Sequence, residues 1–407
     1  MTLLNIALAA LASLSLALAL WQWLAARKFP LHQRSAETDF APAISILKPL
    51  KGCDDTTADS LRSWLRQDYS GSVQILFGVA DTDDPVCDIV RQLLAESPKH
   101  DAQLVVCENL RGTNAKVAKL AQLEKLAKHD LILISDADVR VPPDLLANMV
   151  APMNPGQAGS PLPADAGGQP PRGAHGVTRP TGLVNCFYRL ANPTTTAMRW
   201  EAICVNADFW SQVLQSQTLK PLDFALGAAM LVRRTALAEI GGFESLADCL
   251  ADDYELGHRM SVNGHRIALC PVVVECWDAP MNWGDVWKHQ LRWARTIRVC
   301  QPLPYFFSIL SNATLWLLLW LVVSTATTRG WRAPLTALGI MLVRICIAQN
   351  LQRRLTPDRN LVSPFWLVPI KGLLQAALWV GAFSGNTVEW RGRKMKLRHD
   401  GTVVEKI

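Results

Sequence analysis

From Thr2 to Ala26 the chain carries no charged residue, and no other feature limits its possible folds as strongly. About 20 apolar residues in a helix suffice to cross a bilayer core about 30 Å thick. Trp21 and Trp23 stand at the end of the run, followed by Arg27 and Lys28, the order of an aromatic belt and its cationic anchors. A cleaved secretory leader is the competing reading. Such leaders start with basic residues, have a shorter apolar stretch and end in a small-x-small site. Here no Lys or Arg precedes the run. The sequence predicts an uncleaved anchor over residues 1–26, with residue 27 onward in the cytoplasm.

A second apolar mass lies between residues 305 and 385. Tyr305 to Thr325 reads as a membrane helix, and Pro334 to Ala348 as a shorter span weakened by Arg344. Phe365 to Phe383 is interrupted by Pro369 and Lys371. The tail, 386–407, carries Arg391, Arg393, Lys394, Lys396 and Arg398 and is expected in the cytoplasm. Three crossings would put it outside. Phe365 to Phe383 is therefore expected to be re-entrant or interfacial, with Lys371 snorkelling. Asn312-Ala313-Thr314 matches a glycosylation sequon within the first of these spans and is given no role. Hydrophobic residues make up 50% of the 407 and charged residues 19%, which excludes a disordered chain or a coiled coil. The net charge of +6 is too mild and too dispersed for a nucleic-acid partner. Ten cysteines at irregular spacing, with no CxxC pair, read as reduced thiols.

Between these apolar ends, over residues 40–300, short apolar runs alternate with helical periodicity. Ala43–Leu47, Val73–Val79, Gln103–Cys107 and Leu131–Ser135 read as strands; Ser60–Gln67, Val86–Ser97 and Asn114–Lys128 read as helices. This alternation predicts an α/β unit with a parallel sheet, whose ligands bind beyond the carboxyl ends of the strands. Residues 151–181, rich in Pro, Gly and Ala, read as a mobile insertion without catalytic relevance.

Acidic clusters follow two of the strands. Asp136 and Asp138 come directly after Leu131–Ser135, and at a spacing of two in an extended segment both side chains point the same way. Such a pair suits a hard divalent cation, Mg²⁺ or Mn²⁺, that also grips a diphosphate; a solvated turn is the plainer alternative. Asp252-Asp253-Tyr254 follows Gly241-Gly242, a turn expected to be flexible, and opens a helix. There a carboxylate is either a cap or a general base. His289-Gln290-Leu291-Arg292-Trp293 lies on a helix before the membrane region, where basic and aromatic residues are also ordinary flanks. Trp277, Trp283, Trp287 and Trp293 are expected together at head-group depth.

Taken together, ILFGVADTDDP, GTNAKVAKL, LISDADVRVPPD, GGFESLADCLADDYELG and HQLRWARTIR resemble the ceramide glucosyltransferases and their bacterial relatives. The resemblance covers nearly the whole chain apart from the insertion. It implies a GT-A fold, a Rossmann-like and mostly parallel sheet, with N- and C-terminal membrane helices. It further implies that Asp81 holds the uracil or ribose of a UDP-sugar, and that Asp136 and Lys116 lie by the nucleotide diphosphate. Asp138 would then face the metal, and Asp253 would be the base. Arg292 and Trp293 would hold diphosphate and acceptor, with His289 and Gln290 in the acceptor region. The eukaryotic signature has Gln or Arg where this chain has His289, and that departure points to the bacterial branch. The implied reaction is inverting transfer of a sugar, glucose first, to a membrane lipid hydroxyl such as that of ceramide. N-acetylglucosamine transfer to a hopanoid, polyisoprenyl-phosphate glycosylation and a non-catalytic scaffold are the alternatives. The implied place is a multi-pass membrane protein with its catalytic domain in the cytoplasm, at the inner membrane if bacterial.

Overall fold

Strand β1 (Ile44–Pro49) begins the sheet because Ile44, Ile46 and Leu47 bury completely, and Ser45 anchors its register by bonding Gln74 at 2.8 Å. The computed structural model to which β1 belongs describes residues 2–35, 39–154, 179–327, 330–356, 358–390 and 393–405. It forms two compact units, one of residues 29–188 and 220–279, the other of residues 1–28, 189–219 and 280–407.

The first unit is built on an eight-stranded sheet. Besides β1 it contains β2 (Val73–Val79), β3 (Asp101–Val106), β4 (Leu131–Ser135), β5 (Val139–Arg140), β6 (Thr181–Leu190), β7 (Ala229–Arg233) and β8 (Arg266–Cys276). Their order across the sheet is β3-β2-β1-β4-β7-β6-β8-β5. The first four run parallel, as the helix-strand alternation predicts. The other half is not parallel: β7 runs against β4, β6 against β7, and β5 against β8. All five residues of β4 are buried, so this apolar run lies in the middle of the sheet. Of the insertion expected over 151–181, residues 155–178 lie outside the described residues. Its flanks are ordered elements: Ala151–Met153 is a 3-10 turn and Thr181 already belongs to β6.

The second unit is mostly helical. Leu3–Lys28 and Arg332–Leu355 are each long and apolar enough to cross a membrane. Pro302–Ser311 and Ala313–Thr327 meet that test together, but they are bent by 51°. The continuous helix expected over Tyr305–Thr325 is thus broken. Asn312 makes the break: its side chain caps the second segment through Leu315 N at 3.0 Å and donates to Gly372 O at 2.8 Å. Leu367–Phe383 is shorter, at 17 residues. Lys371, expected to snorkel, is instead 5% exposed and bonded to Asp208. Asp208 sits on a π-helix, Cys204–Phe209, and both its oxygens also accept from Arg344 Nη2 at 2.9 Å. Arg344 therefore does not weaken its helix by facing lipid, because its charge is met inside the protein.

What reads as a basic tail is folded. Strands β9 (Thr387–Trp390), β10 (Arg393–Leu397) and β11 (Val403–Glu405) pair antiparallel. Met395 and Leu397 turn inward, while Lys394 and Lys396 face out, the period-two pattern of a half-buried strand. The ten cysteines, all among the described residues, form no disulfide.

Candidate active site

Because β1, β2 and β4 are parallel, their carboxyl ends share one edge of the sheet, and antiparallel β7 begins there with Ala229 opposite Ser135. Four carboxylates gather at that edge or just beyond it: Asp136, Asp138, Asp252 and Asp253. Asp136 and Asp138 do not lie on an extended segment. They stand on a tight turn between β4 and β5, with Val139 N bonded back to Asp136 O at 3.4 Å. Asp253 reaches the edge because residue 227 is a glycine; a Cβ there would lie 2.7 Å from Asp253 Oδ2.

Two lysines serve these four acids. Lys116 Nζ bridges Asp136 Oδ1 at 2.8 Å and Asp252 Oδ2 at 3.0 Å. Burial alone would lower its pKa, but the charges of Asp136 and Asp252 outweigh that and hold the ammonium above its usual range. Lys48, at the end of β1, is fully buried against the Trp64 ring, 4.6 Å from its centroid. It bonds Ser135 Oγ at 3.2 Å and the Asp136 carbonyl. Burial draws Lys48 down to about 7, against the pull of Asp138 and Asp136. Desolvation, then the charges of Asp136 and Asp278, push Asp138 up to about 7. Desolvation and the neighbouring Asp252 likewise push Asp253 up to about 6, with Lys116 opposing.

Asn114 holds this arrangement together. Its side-chain oxygen caps the helix Ala115–Leu126 through Lys116 N and Val117 N, and its amide donates to Cys249 O at 2.9 Å. Thr113 N bonds Asp248 at 2.9 Å. Gly112, at φ +96°, passes so close to Ala247 that a Cβ would meet its methyl at 2.6 Å. These contacts fix the segment leading to Asp252 and Asp253. The Gly241-Gly242 turn, expected to be flexible, is itself closed by a bond from Gly242 N to Leu237 O at 2.9 Å. Ala251 occupies the N-cap position of the helix that Asp252 and Asp253 open, and Asp253 Oδ1 accepts from the first-turn Tyr254 N at 2.8 Å.

Asp81 is exposed beyond β2, its Oδ1 accepting from Asp83 N at 3.0 Å. It stands at the same strand edge, yet among the described residues no hydrogen bond or ion pair joins it to the four acids. Lys48 and Asn114 are absent from the residues that sequence alone brings forward as bearing the site. So is Asp84, which accepts from Gly52 N with both oxygens at 3.0 Å. No group of three His, Cys, Asp or Glu side chains among the described residues is set to enclose a metal. Asp136 and Asp138 instead offer an open pair of hard oxygen donors in a field of unbalanced negative charge, which suits a cation completed by phosphate and water.

In the helical unit, the helix Trp283–Cys300 starts in a capping box made by Asn282 and Asp285. It carries His289, Gln290, Arg292 and Trp293. His289 Nδ1 and Gln290 Nε2 both meet Glu201 Oε1, at 2.7 and 2.8 Å. Trp293, one turn on, lies beside the imidazole with ring centroids 4.7 Å apart. Of the four tryptophans expected as one belt, Trp277 bonds Glu275 and stacks by Arg140 in the sheet unit, and Trp287 packs into a helical cluster with Trp200.

A family profile described as Glycosyl transferase family 21 matches residues 4–160 and 174–403. The chain belongs to glycosyl transferase family 21. Among curated family 21 relatives, it is 33% identical over 137 residues to a ceramide glucosyltransferase of Candida albicans, 30% of this chain and 25% of that one. It is 23% identical over 241 residues to ceramide glucosyltransferase 1 of Caenorhabditis elegans, 59% of this chain and 47% of that one. The matched part thus spans half or less of these relatives' length. In three dimensions it is similar to a mannosyltransferase from Pyrobaculum calidifontis in complex with GDP-Man and Mn²⁺, with a TM-score of 0.51, 18% identity, and 92% and 98% of the two chains covered. The fold of this family 21 chain is GT-A, with apolar helices in its N- and C-terminal regions that mark a membrane protein.

Proposed function

We propose that the chain is an inverting glycosyltransferase that moves a sugar, glucose first, from a UDP-sugar to the hydroxyl of a membrane lipid such as ceramide. The observation that carries this reading is the gathering of four carboxylates around the Lys116 ammonium, with Lys48 buried beside them, at the carboxyl edge of a parallel sheet, in a family 21 chain with membrane-length helices. Asp81 would hold the nucleoside, and Lys116 would stand by the diphosphate. Asp136 and Asp138 would hold a divalent cation, Mg²⁺ or Mn²⁺, which when bound neutralises the charge developing on the UDP leaving group. Asp253 would take the proton of the acceptor hydroxyl. Its raised pKa near 6 makes it a better proton acceptor than an ordinary aspartate while leaving it ionised at neutral pH. One displacement inverts the anomeric centre, so an α-linked donor gives a β-glycosyl lipid. Arg292 and Trp293 belong to the acceptor and diphosphate region, with His289 and Gln290 beside them.

For the membrane, Leu3–Lys28 would anchor the chain with Arg27 and Lys28 on the cytoplasmic side. The bent pair and Arg332–Leu355 would cross, and the short Leu367–Phe383 would be re-entrant or interfacial. The test of function is to incubate membranes holding the protein with labelled UDP-glucose or UDP-N-acetylglucosamine and identify the lipid product by mass spectrometry. A β-glucosyl lipid is expected; a product from UDP-N-acetylglucosamine alone would replace the donor. No lipid product from either would overturn the reading. Reporter fusions showing residues 393–405 outside would make Leu367–Phe383 a third crossing in this region.

A further inference from the structure

Glu201 is fully buried on the helix Thr196–Ile203, and its Oε2 has no hydrogen-bond partner among the described residues. Its other oxygen accepts from Gln290 Nε2 and faces His289 Nδ1. A buried carboxylate half satisfied in this way is a cost that an apolar residue in its place would avoid, so packing does not account for it. Its visible effect is on His289. An acceptor oxygen at 2.7 Å places the ring proton on Nδ1, which leaves Nε2 of the neutral imidazole with a lone pair. The Nδ1 edge faces the interior, the side chain keeps 26% of its surface exposed, and Trp293 flanks the ring.

We infer that Glu201 is a positioning residue that makes His289 an outward-facing hydrogen-bond acceptor, and that this ring selects the hydroxyl of an uncharged lipid headgroup over a phosphate. A hydroxyl donates to the lone pair of Nε2. A phosphate group offers mainly acceptor oxygens and negative charge, and beneath the ring lies a second negative group, Glu201. The inference rests on the proposal that a membrane lipid is the acceptor.

The test compares full-length wild type, Glu201→Gln, His289→Ala and the double variant with UDP-glucose, using a short-chain ceramide and a polyprenyl phosphate as acceptors. In Glu201→Gln a neutral amide replaces the carboxylate, so Nδ1–H loses its charged acceptor and the Nδ1–H tautomer is no longer enforced. The KM for ceramide should rise about tenfold, the scale of one lost hydrogen bond, with much smaller changes in kcat and in the KM for UDP-glucose. Preference should shift toward polyprenyl phosphate. His289→Ala should raise the ceramide KM similarly, and the double variant should add nothing, because Glu201 acts through His289. UDP binding by calorimetry reports folding of each variant, and His289→Gln supplies the same KM comparison if Glu201→Gln fails to fold. An unchanged ceramide KM, a parallel rise in the UDP-glucose KM, or additive effects would overturn the inference alone. Wild-type transfer to polyprenyl phosphate and not to ceramide would overturn it together with the hydroxyl-acceptor reading.

Discussion

At the edge of the sheet Asp136, Asp138, Asp252 and Asp253 share Lys48 and Lys116, whereas in the helical unit Asp208 has both Arg344 and Lys371 to itself. In the first group negative charge exceeds positive, and the strain shows in the raised pKa values of Asp138 and Asp253. In the second, one carboxylate accepts from two cations and is 7% exposed. A surplus of like charge is costly to maintain and is relieved by binding something of opposite sign. A carboxylate already satisfied by two cations has little left to offer a ligand. The two clusters contain the same residue types, and the difference in charge balance separates a candidate active site from a clasp between helices.

The contrast can be broken experimentally. Chelation with EDTA should abolish glycosyl transfer, and added Mg²⁺ or Mn²⁺ should restore it; full turnover in EDTA would mean that the surplus charge at the sheet edge does not serve a metal. Next in size, Asp208→Asn should lower stability by about 3–5 kcal/mol, since it strands two buried cations, read as an earlier thermal unfolding transition in detergent. The protein that remains folded should bind UDP normally. If unfolding does not move, Asp208 is not a clasp.

Asp253→Asn should lower kcat at least about a hundredfold with little change in UDP affinity. Asp252→Asn should be milder and fall mainly on donor binding, because Asp252 is the carboxylate that anchors Lys116. The reverse order would exchange the two roles. Smallest is the pH effect. Asp253 is ionised above its raised pKa near 6 and loses its function as a base below it, so kcat should fall about tenfold per pH unit only on the acid side of that value. Asp253→Asn should remove this acid limb; a limb that persists in the variant belongs to another group.

Asp136 and Asp138 were legible because they follow an apolar run that must be a strand, and strand ends in parallel sheets are where ligands bind; Asp252 and Asp253 follow no strand and stood out only as an acidic pair opening a helix. Lys48 was not legible, since Lys-Pro after AISIL reads as the end of a strand rather than as a buried charge. Glu201 sits within TAMRWEAI, and its partner His289 comes 88 residues later, beyond any local pattern. The antiparallel half of the sheet was missed because strands β6 to β8 depend on pairing with distant neighbours. Strands β9 to β11 were missed because β10 is rich in lysine and arginine, which masks the inward Met395 and Leu397. Asn312 looked like a sequon, and only its bond to Gly372 identifies it as a bend.

The Asp208 clasp also sets an order on synthesis. Asp208 leaves the ribosome 136 residues ahead of Arg344 and 163 ahead of Lys371. Chains are made from the amino end at about 5–20 residues per second, so the π-helix waits on the order of ten seconds for its first counter-charge. Arg344 and Lys371, for their part, arrive within apolar helices, where an unpaired cation at the centre costs about 2.5–3.5 kcal/mol to insert. Each half of the clasp is therefore poorly tolerated until the other is present. A ribosome halted before residue 344 would leave a nascent chain whose sheet unit is fully translated but whose helical unit cannot close, a length-defined target for membrane quality control.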